Sequence, residues 1–315
     1  MHCEYTNRYG YLPGMDTSRT SAPLRGAALV VVWSSGFIGA ELGARHAAAG
    51  TVLAWRCLAT AVVLLPWALR ALTRLTRRDW LHQAVLALLC QCLYLGGVFQ
   101  AAAAGVPAGT SALIASLQPA LVLAAAVVLD SRRWKAGHLA GPALGTTGVA
   151  LTAAGDLSAG VSLTALLLPL VAMLSLTAGT LLRQRWSSPP LSQTLAVQAF
   201  FTAAFFTTYS AAAGTLTPPP TTGFWTAVAW ATAAGIGSYG LYYLVTSRDG
   251  AAHASTLLYL TPATTALWAV PMFGHPIRLT TVLGLLISAS AVALLQRTRG
   301  QESRSSAAKM SSQRS

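Results

Sequence analysis

The chain has 315 residues, of which 54% are hydrophobic and only 9% are charged, and its mean hydropathy is +0.55. Soluble domains usually carry about 25% charged residues, so this composition excludes an ordinary soluble protein and favours a polytopic membrane protein. The formal net charge of +13 would suggest nucleic-acid binding in a soluble protein, but in a membrane protein its meaning depends on where the basic residues lie.

Successive apolar segments are long enough to cross a bilayer core, which needs about 20 residues per helix. In chain order, predicted spans 1 to 10 cover residues 24–44, 50–69, 80–102, 106–130, 136–155, 161–183, 191–213, 223–247, 252–273 and 278–297. Residues 1–23 and 298–315 are polar, which predicts disordered cytoplasmic tails. The sequence therefore predicts an all-α membrane protein with ten transmembrane helices.

The basic residues indicate how these spans are oriented. Of the 21 Lys and Arg residues, all but Arg45, Arg56 and Arg278 lie on one side of the membrane if the spans alternate in direction. Positively charged loops stay cytoplasmic, so we predict that both termini are cytoplasmic and that the chain resides in the cytoplasmic (plasma) membrane. Topology then explains the net charge, and no nucleic-acid partner is predicted.

The two halves of the chain resemble each other. Residues 97–151 align without a gap with residues 240–294, so that Gly97 meets Gly240 and the segment Leu117-Gln-Pro-Ala120 meets Leu260-Thr-Pro-Ala263. This alignment predicts one five-helix repeat over residues 24–155 and a second over residues 161–297. Because five is an odd number, the second repeat enters the membrane from the opposite side. Inverted repeats of this kind are typical of secondary transporters, whose substrate site lies near the midplane between the repeats.

Several motifs resemble the EamA-type group of the drug/metabolite transporter superfamily. Val32-Trp-Ser-Ser-Gly-Phe37 resembles the opening motif of that family, Ala54-Trp-Arg-Cys57 resembles its second-helix motif, and the two aligned proline segments resemble its repeated Ser/Pro segment. The resemblance covers roughly residues 25–297. It implies export of a small metabolite or drug. The chain departs from the family pattern at Arg132 and His275, where the family often has Glu.

Two ionisable residues within predicted spans are the leading functional candidates, because such residues are costly in a membrane. Glu41 and Arg56 lie near the outer ends of adjacent spans. They can form an ion pair that closes the outer mouth, or Glu41 can carry a proton that drives exchange. The alternatives are a static pair, or an Arg56 side chain that extends to the lipid headgroups.

Polar and aromatic residues within the predicted spans are further candidates for the walls of a substrate path, provided that the spans are arranged as predicted. Gln118 and Thr261 precede the aligned prolines, where a missing backbone hydrogen bond can leave a carbonyl free for a ligand. A kink satisfied by neighbouring side chains is the alternative. Further candidates for cavity walls are Trp33, Tyr94, Gln100, Tyr239, Tyr243 and Tyr259, and His253 is a candidate titrating group. Each of these also fits a residue of the membrane interface.

The sequence thus predicts a secondary active transporter that exports a small molecule by alternating access, with a proton as the candidate coupling ion. An uptake carrier and an uncoupled facilitator are the main alternatives. A non-transporting membrane protein and a membrane-embedded enzyme fit less well, because no catalytic cluster, phosphate loop or metal-ligand spacing is evident. We predict no cofactor and no metal. The predicted partners are a small-molecule substrate and membrane lipid, and the protein is predicted to be a monomer or a homodimer.

Overall fold

The computed structural model describes residues 22–118, 120–122, 136–186, 189–249, 254, 257–276, 278–287 and 289–290. Its described secondary structure is helical throughout. The helices are α1 (Ala22–Ala44), α2 (Ala49–Leu72), α3 (Arg77–Ala87), α4 (Tyr94–Ala103), α5 (Ala108–Ala115), α6 (Ala136–Ser158), α7 (Leu163–Arg185), α8 (Leu191–Ala212), α9 (Thr222–Asp249) and α10 (Thr261–Phe273). Residues 279–287 are also helical. The predicted tails fall almost entirely outside the described residues.

Five stretches of the described chain are long and apolar enough to cross a membrane. They are Ala22–Ala44, Ala49–Ala71, Arg77–Ala103, Leu163–Arg185 and Leu191–Ala212. These correspond to predicted spans 1, 2, 3, 6 and 7. Predicted spans 5 and 8 are described as the helices α6 and α9 but are not among these five. Predicted spans 4, 9 and 10 lie partly outside the described residues, so the number of ten spans stays a prediction.

Predicted span 3 is a continuous helix with a π-helical segment, Leu88–Leu93, between α3 and α4. The helix begins with a capping box, in which the Thr76 hydroxyl accepts from the Asp79 backbone N–H and the Asp79 carboxylate accepts from Thr76. This arrangement satisfies N–H groups that a helix start leaves unpaired. In the π segment, the Leu89 carbonyl accepts from the Ser175 hydroxyl at 2.6 Å. A helix of the second half thus supports the irregular segment of the first.

The helix packing has the symmetry expected of two related repeats. The most extensive contacts join α2 to α8, which are predicted spans 2 and 7, and α1 to α9, which are spans 1 and 8. The counterpart of the α1–α9 contact, between spans 6 and 3, is made by α7 against α3, the π segment and α4. Spans 4 and 9 meet through α5 and α10. Exchanging the repeats leaves this set of contacts unchanged, as a pseudo-two-fold axis requires.

Apolar and polar side chains are distributed as lipid surroundings demand. Large apolar side chains such as Val62, Leu167 and Leu286 are exposed on the outside of the bundle. Polar side chains are buried between helices, where the Gln198 amide donates to the Gln83 amide oxygen at 2.8 Å. Hydrogen bonds of this type stabilise helix association in a bilayer, where burial of apolar surface gives no advantage over lipid contact.

Candidate functional site

A cavity lies at the centre of the bundle, between helices of the two predicted repeats. Its larger part, about 70 Å³ in volume, is lined by α1, α2, α4 and α9. Its smaller part, about 40 Å³, is lined by α1, α5, α7 and the residues around the start of α10. Trp33, Phe37 and Tyr94 line both parts, so we treat the two as one site, the central cavity.

The central cavity brings together most of the residues that the sequence singled out. They are Trp33, Arg56, Tyr94, Gln118, Tyr239, Tyr259 and Thr261. Ring contacts hold part of this set in place, because the Trp33 ring packs edge-on against the Tyr239 ring with centroids 6.0 Å apart. Ser238 also lines the larger part and was not singled out from the sequence. Ser238 lies three residues after Gly235, which also lines the cavity, and this spacing places both on one face of a helix.

Matching breaks in two helices shape the smaller part of the cavity. α5 ends at Ala115 and is followed by a turn at Ser116 and Leu117, whereas α10 begins at Thr261 after a turn at Tyr259 and Leu260. The two turns coincide when the repeats are aligned. In both, the leucine N–H donates to the carbonyl three residues before it. Discontinuous helices at corresponding positions of two repeats are a feature of transporter binding sites.

The polar groups at these breaks have partners in neighbouring helices. The Thr261 carbonyl accepts from the Ser34 hydroxyl at 3.3 Å, and the Gln118 amide donates to the Thr180 hydroxyl at 3.0 Å. The Thr261 hydroxyl, in contrast, is buried without a partner among the described residues. The kink is therefore satisfied only in part, and polar hydrogen-bonding capacity remains at the cavity wall.

Arg56 is the only charged residue among those that line the central cavity in the described chain. Its Nε donates to the Ala231 carbonyl of α9 at 3.1 Å, and its guanidinium carbon lies 5.5 Å from the centre of the Phe99 ring. A Cβ at Gly235 would lie 2.7 Å from Nη2, so glycine leaves space for the guanidinium. Arg56 thus spans the interface between the two repeats rather than extending to the headgroups.

The proposed pairing of Glu41 with Arg56 is wrong. The Glu41 carboxylate is buried and contacts His275 Nε2 at 3.0 Å and Arg45 Nη2 at 3.5 Å, and it accepts from the Ala108 backbone N–H at 3.0 Å. Glu41 lies about 5 Å from the end of α1, whereas Arg56 lies about 10 Å inside α2, given a rise of about 1.5 Å per residue. This difference in depth, together with helix rotation, separates the two side chains.

A second ion pair lies close to the Glu41 contacts. Arg278 Nη1 is 3.4 Å from the Asp156 carboxylate, which also accepts from the Thr110 hydroxyl at 2.6 Å. We call Glu41, His275, Asp156 and Arg278 the Glu41 cluster. The Glu41–His275 pair joins the two predicted repeats, and Arg278 of the second repeat pairs with Asp156, which directly follows the first. The sequence analysis missed Asp156, although a buried acid in a chain with only 8 Asp and Glu residues is a usable signal.

The opposite end of the bundle has its own link between repeats. Arg25, at the start of α1, donates from Nε and Nη2 to the two carboxylate oxygens of Asp249, at the end of α9, at 3.2 and 2.7 Å. Two parallel hydrogen bonds of this kind fix the relative position of both groups. Arg25 and Glu41 lie about 24 Å apart along α1, so the cavity has an ion pair near each end.

The remaining predicted residues lie apart from this site. Gln100 is on α4 and is not among the residues that line the cavity. Tyr243 lies in α9, but its side chain is outside what the structure describes, and His253 lies outside the described residues altogether. Within the described ranges, no three His, Cys, Asp or Glu side chains are placed to share a metal ion.

Comparisons with known proteins agree with this architecture. The profile of the EamA-like transporter family matches residues 21–154 and, a second time, residues 162–297. No curated protein matches the chain. Among solved structures, one described only as a crystal structure of a protein is 18% identical, with a TM-score of 0.59, over 88% of this chain and 98% of its own. That likeness concerns the fold alone.

Proposed function

This chain belongs to the EamA-like transporter family, and on that premise we propose that it is a secondary active transporter that moves a small molecule by alternating access. The observation that carries the proposal is the central cavity, which lies between the two family repeats and is lined by both. Its two parts, about 70 Å³ and about 40 Å³, are both below the ~300–1,000 Å³ of sites that enclose drug-sized ligands. A larger substrate therefore requires the repeats to move apart.

The proposed topology has ten spans in two inverted repeats, with both termini cytoplasmic, in the cytoplasmic membrane. The packing symmetry supports it, because the pairs of spans 1–8 and 6–3 are exchanged by a two-fold axis while pairs 2–7 and 4–9 lie on it. The matching helix breaks before Gln118 and Thr261 support the same relation. In this topology, the Glu41 cluster faces outward and the Arg25–Asp249 pair faces the cytoplasm.

Alternating access then requires the two ends to open in turn. Opening outward separates His275 from Glu41 and Arg278 from Asp156, whereas opening inward separates Arg25 from Asp249. We propose export as the direction and a proton as the coupling ion, carried by the Glu41–His275 pair. Protonation of the Glu41 carboxylate removes its attraction for His275 and Arg45, and favours the outward-open state. The protein functions as a monomer or a homodimer.

Flux through purified protein in proteoliposomes tests this function. We expect uptake or release of at least one compound from a panel of amino acids, sugars, carboxylates and cationic drugs, and a higher rate when a pH gradient is imposed. Protein-free vesicles provide the baseline. Equal rates with and without the gradient would favour an uncoupled facilitator, and no flux of any compound above that baseline would contradict a transport function.

Loss of the Arg25–Asp249 pair should favour the inward-open state. Asp249→Ala is expected to raise, roughly two- to fivefold, the rate at which a thiol reagent added from the cytoplasmic side labels Ser238→Cys in the cavity. A change of this size is expected because a partly exposed ion pair stabilises the inward-closed state only weakly, and its loss shifts the population toward the inward-open state accordingly. The measurement uses a background in which the 4 native cysteines are replaced by alanine.

A neighbouring charge provides the matched control for this labelling experiment. Arg248→Ala changes an exposed residue one position away and should leave the rate unchanged. The exchanged pair Arg25→Asp with Asp249→Arg should restore the slow rate. If Arg248→Ala and Asp249→Ala accelerate labelling equally, the pair does not close this end.

A further inference from the structure

The charge of Arg56 is not neutralised within the described structure. Its Nε is bonded to the Ala231 carbonyl, and Phe99 lies against the guanidinium, but Nη1 is buried with no hydrogen-bond partner among the described residues. A neutral carbonyl and an aromatic face stabilise a cation, yet they leave it formally unpaired. Arg56 is half-buried, and a cation in a membrane-spanning segment without a counter-charge is costly.

The acidic residues of the described chain are engaged elsewhere. Glu41 and Asp156 belong to the Glu41 cluster, Asp249 pairs with Arg25, and Asp79 caps α3. No Asp or Glu is among the described residues that line the central cavity. The described lining therefore carries a net positive charge, which disfavours a cationic ligand and attracts an anion.

The geometry around Arg56 favours a planar oxyanion. Two hydrogen bonds from a guanidinium match the two oxygens of a carboxylate, and such charge-assisted pairs are about twice as strong as neutral ones. Nη2 occupies the space beside Gly235 that a Cβ would fill, and Nη1 has hydrogen-bonding capacity to spare. The Arg56 carbonyl accepts from the Thr60 hydroxyl at 2.9 Å, which fixes this turn of α2. The bond from Nε to the Ala231 carbonyl holds the guanidinium itself in position before a ligand arrives.

The rest of the cavity wall indicates the body of the ligand. Rings of Trp33, Phe37, Tyr94 and Tyr239 surround the space next to Arg56, and Ser238 contributes a hydroxyl. The Ser238 hydroxyl already donates to the Val32 carbonyl at 3.2 Å, and the rest of the wall is mainly apolar. A wall with few free hydrogen-bonding groups suits an apolar or aromatic body better than a heavily hydroxylated one, whose hydroxyl groups would lose their water without gaining partners.

We propose that Arg56 recognises the carboxylate of an organic monoanion with an apolar or aromatic body, and that this is the class of molecule that the protein transports. The assignment rests on the proposed transport function, since it identifies the ligand of the same cavity. It places the carboxylate between α2 and α9, at the interface of the two repeats. One anionic ligand then replaces the missing counter-charge and bridges the two halves of the molecule.

Binding of three probes of similar size tests this assignment independently of flux. Purified full-length protein in detergent is titrated at neutral pH with benzoate, benzamide and benzylammonium, and binding is followed by tryptophan fluorescence and by the shift in unfolding temperature. We expect benzoate to bind at least about tenfold more tightly than benzamide, and benzylammonium to bind least, because a charge-assisted pair exceeds a neutral hydrogen bond by that order.

Variants of Arg56 identify the group responsible. Arg56→Gln should weaken benzoate binding about 10- to 100-fold and remove the preference over benzamide, whereas Arg56→Lys should retain part of it. Arg70→Gln removes an exposed arginine from the other end of the same helix and should change nothing. If Arg56→Gln does not fold, the ranking of the three probes on the unmodified protein still decides the matter.

Other outcomes would overturn the assignment. Benzamide or benzylammonium binding as tightly as benzoate would do so, as would a benzoate preference that survives in Arg56→Gln. Inorganic phosphate binding without benzoate binding would assign Arg56 to an inorganic anion or a lipid headgroup. Flux of a cationic drug without benzoate binding would overturn the substrate class and leave the transport function standing. Benzoate binding without flux of any compound would contradict the transport function and leave the recognition of a carboxylate by Arg56 standing.

Discussion

Glu41→Gln should abolish the response of transport to a pH gradient while the protein still inserts and folds. For the unmodified protein we expect the gradient to change the initial flux in proteoliposomes at least about fivefold, the lower range of a useful coupling free energy. For Glu41→Gln the ratio of the two rates should be close to one. The glutamine oxygen still accepts from the Ala108 N–H, but its charge cannot change with pH.

The contacts of Glu41 explain why the effect should be large. The carboxylate lies at the first N–H of α5, where the helix dipole favours a negative charge, and it also contacts His275 and Arg45. One group therefore links α1, the start of α5 and the loop after α10. Loss of the negative charge weakens all three interactions at once, so this one carboxylate controls the stability of the whole closed end.

Two further variants separate coupling from a general loss of structure. Asp79→Asn makes the same change of charge at the start of α3 and keeps a residue that can cap a helix, so its response to the gradient should match that of the unmodified protein. His275→Gln should alter the pH at which flux is half-maximal without removing the dependence, because Glu41 keeps Arg45 and the Ala108 N–H. A Glu41→Gln protein with an unchanged pH response would exclude Glu41 as the proton carrier.

The sequence predicts those features of the fold that depend on local composition, such as apolar spans and helix breaks. The contacts between side chains of different helices depend on the rotation and packing of the helices, which local sequence does not determine. The spans Ala22–Ala44 and Leu163–Arg185 were visible as apolar runs, because lipid imposes length and composition on each helix separately. The sequence marks the paired breaks before Gln118 and Thr261 by aligned prolines, because a proline removes a backbone hydrogen bond of a helix. Proline alone does not predict a break, since Pro66 and Pro169 lie inside the uninterrupted helices α2 and α7.

The partners of Glu41 could not be predicted in the same way. A residue near a helix end can face any of several neighbours, and the choice depends on the rotation of α1 about its own axis. His275 comes from the second repeat, so no spacing in the sequence connects it to Glu41. The sequence shows the departure from the family pattern at His275, but only the fold, which brings His275 Nε2 to 3.0 Å from the Glu41 carboxylate, gives that residue a partner.

Two aligned glycines, Gly97 and Gly240, differ in how closely neighbouring helices pack against them, and alanine substitutions should show this difference. Gly97→Ala should lower the unfolding temperature of the purified protein by several degrees, whereas Gly240→Ala should leave it unchanged or raise it slightly. A Cβ at Gly97 would lie 2.7 Å from Ala172 Cβ and 2.8 Å from the Leu168 carbonyl oxygen, so α4 and α7 must move apart. Overpacking of this kind costs about 1–3 kcal/mol.

The aligned glycine of the second repeat is the matched control, since a Cβ at Gly240 meets nothing within 4 Å. There, alanine brings only its better helix propensity, worth up to about 1 kcal/mol. Adding Ala172→Gly to Gly97→Ala should recover part of the loss, because it removes one of the two close contacts and leaves the Leu168 carbonyl. Equal unfolding temperatures for the Gly97 and Gly240 variants would mean that α4 and α7 do not approach this closely. The packing of predicted spans 3 and 6, on which the symmetry between the repeats depends, would then need to be revised.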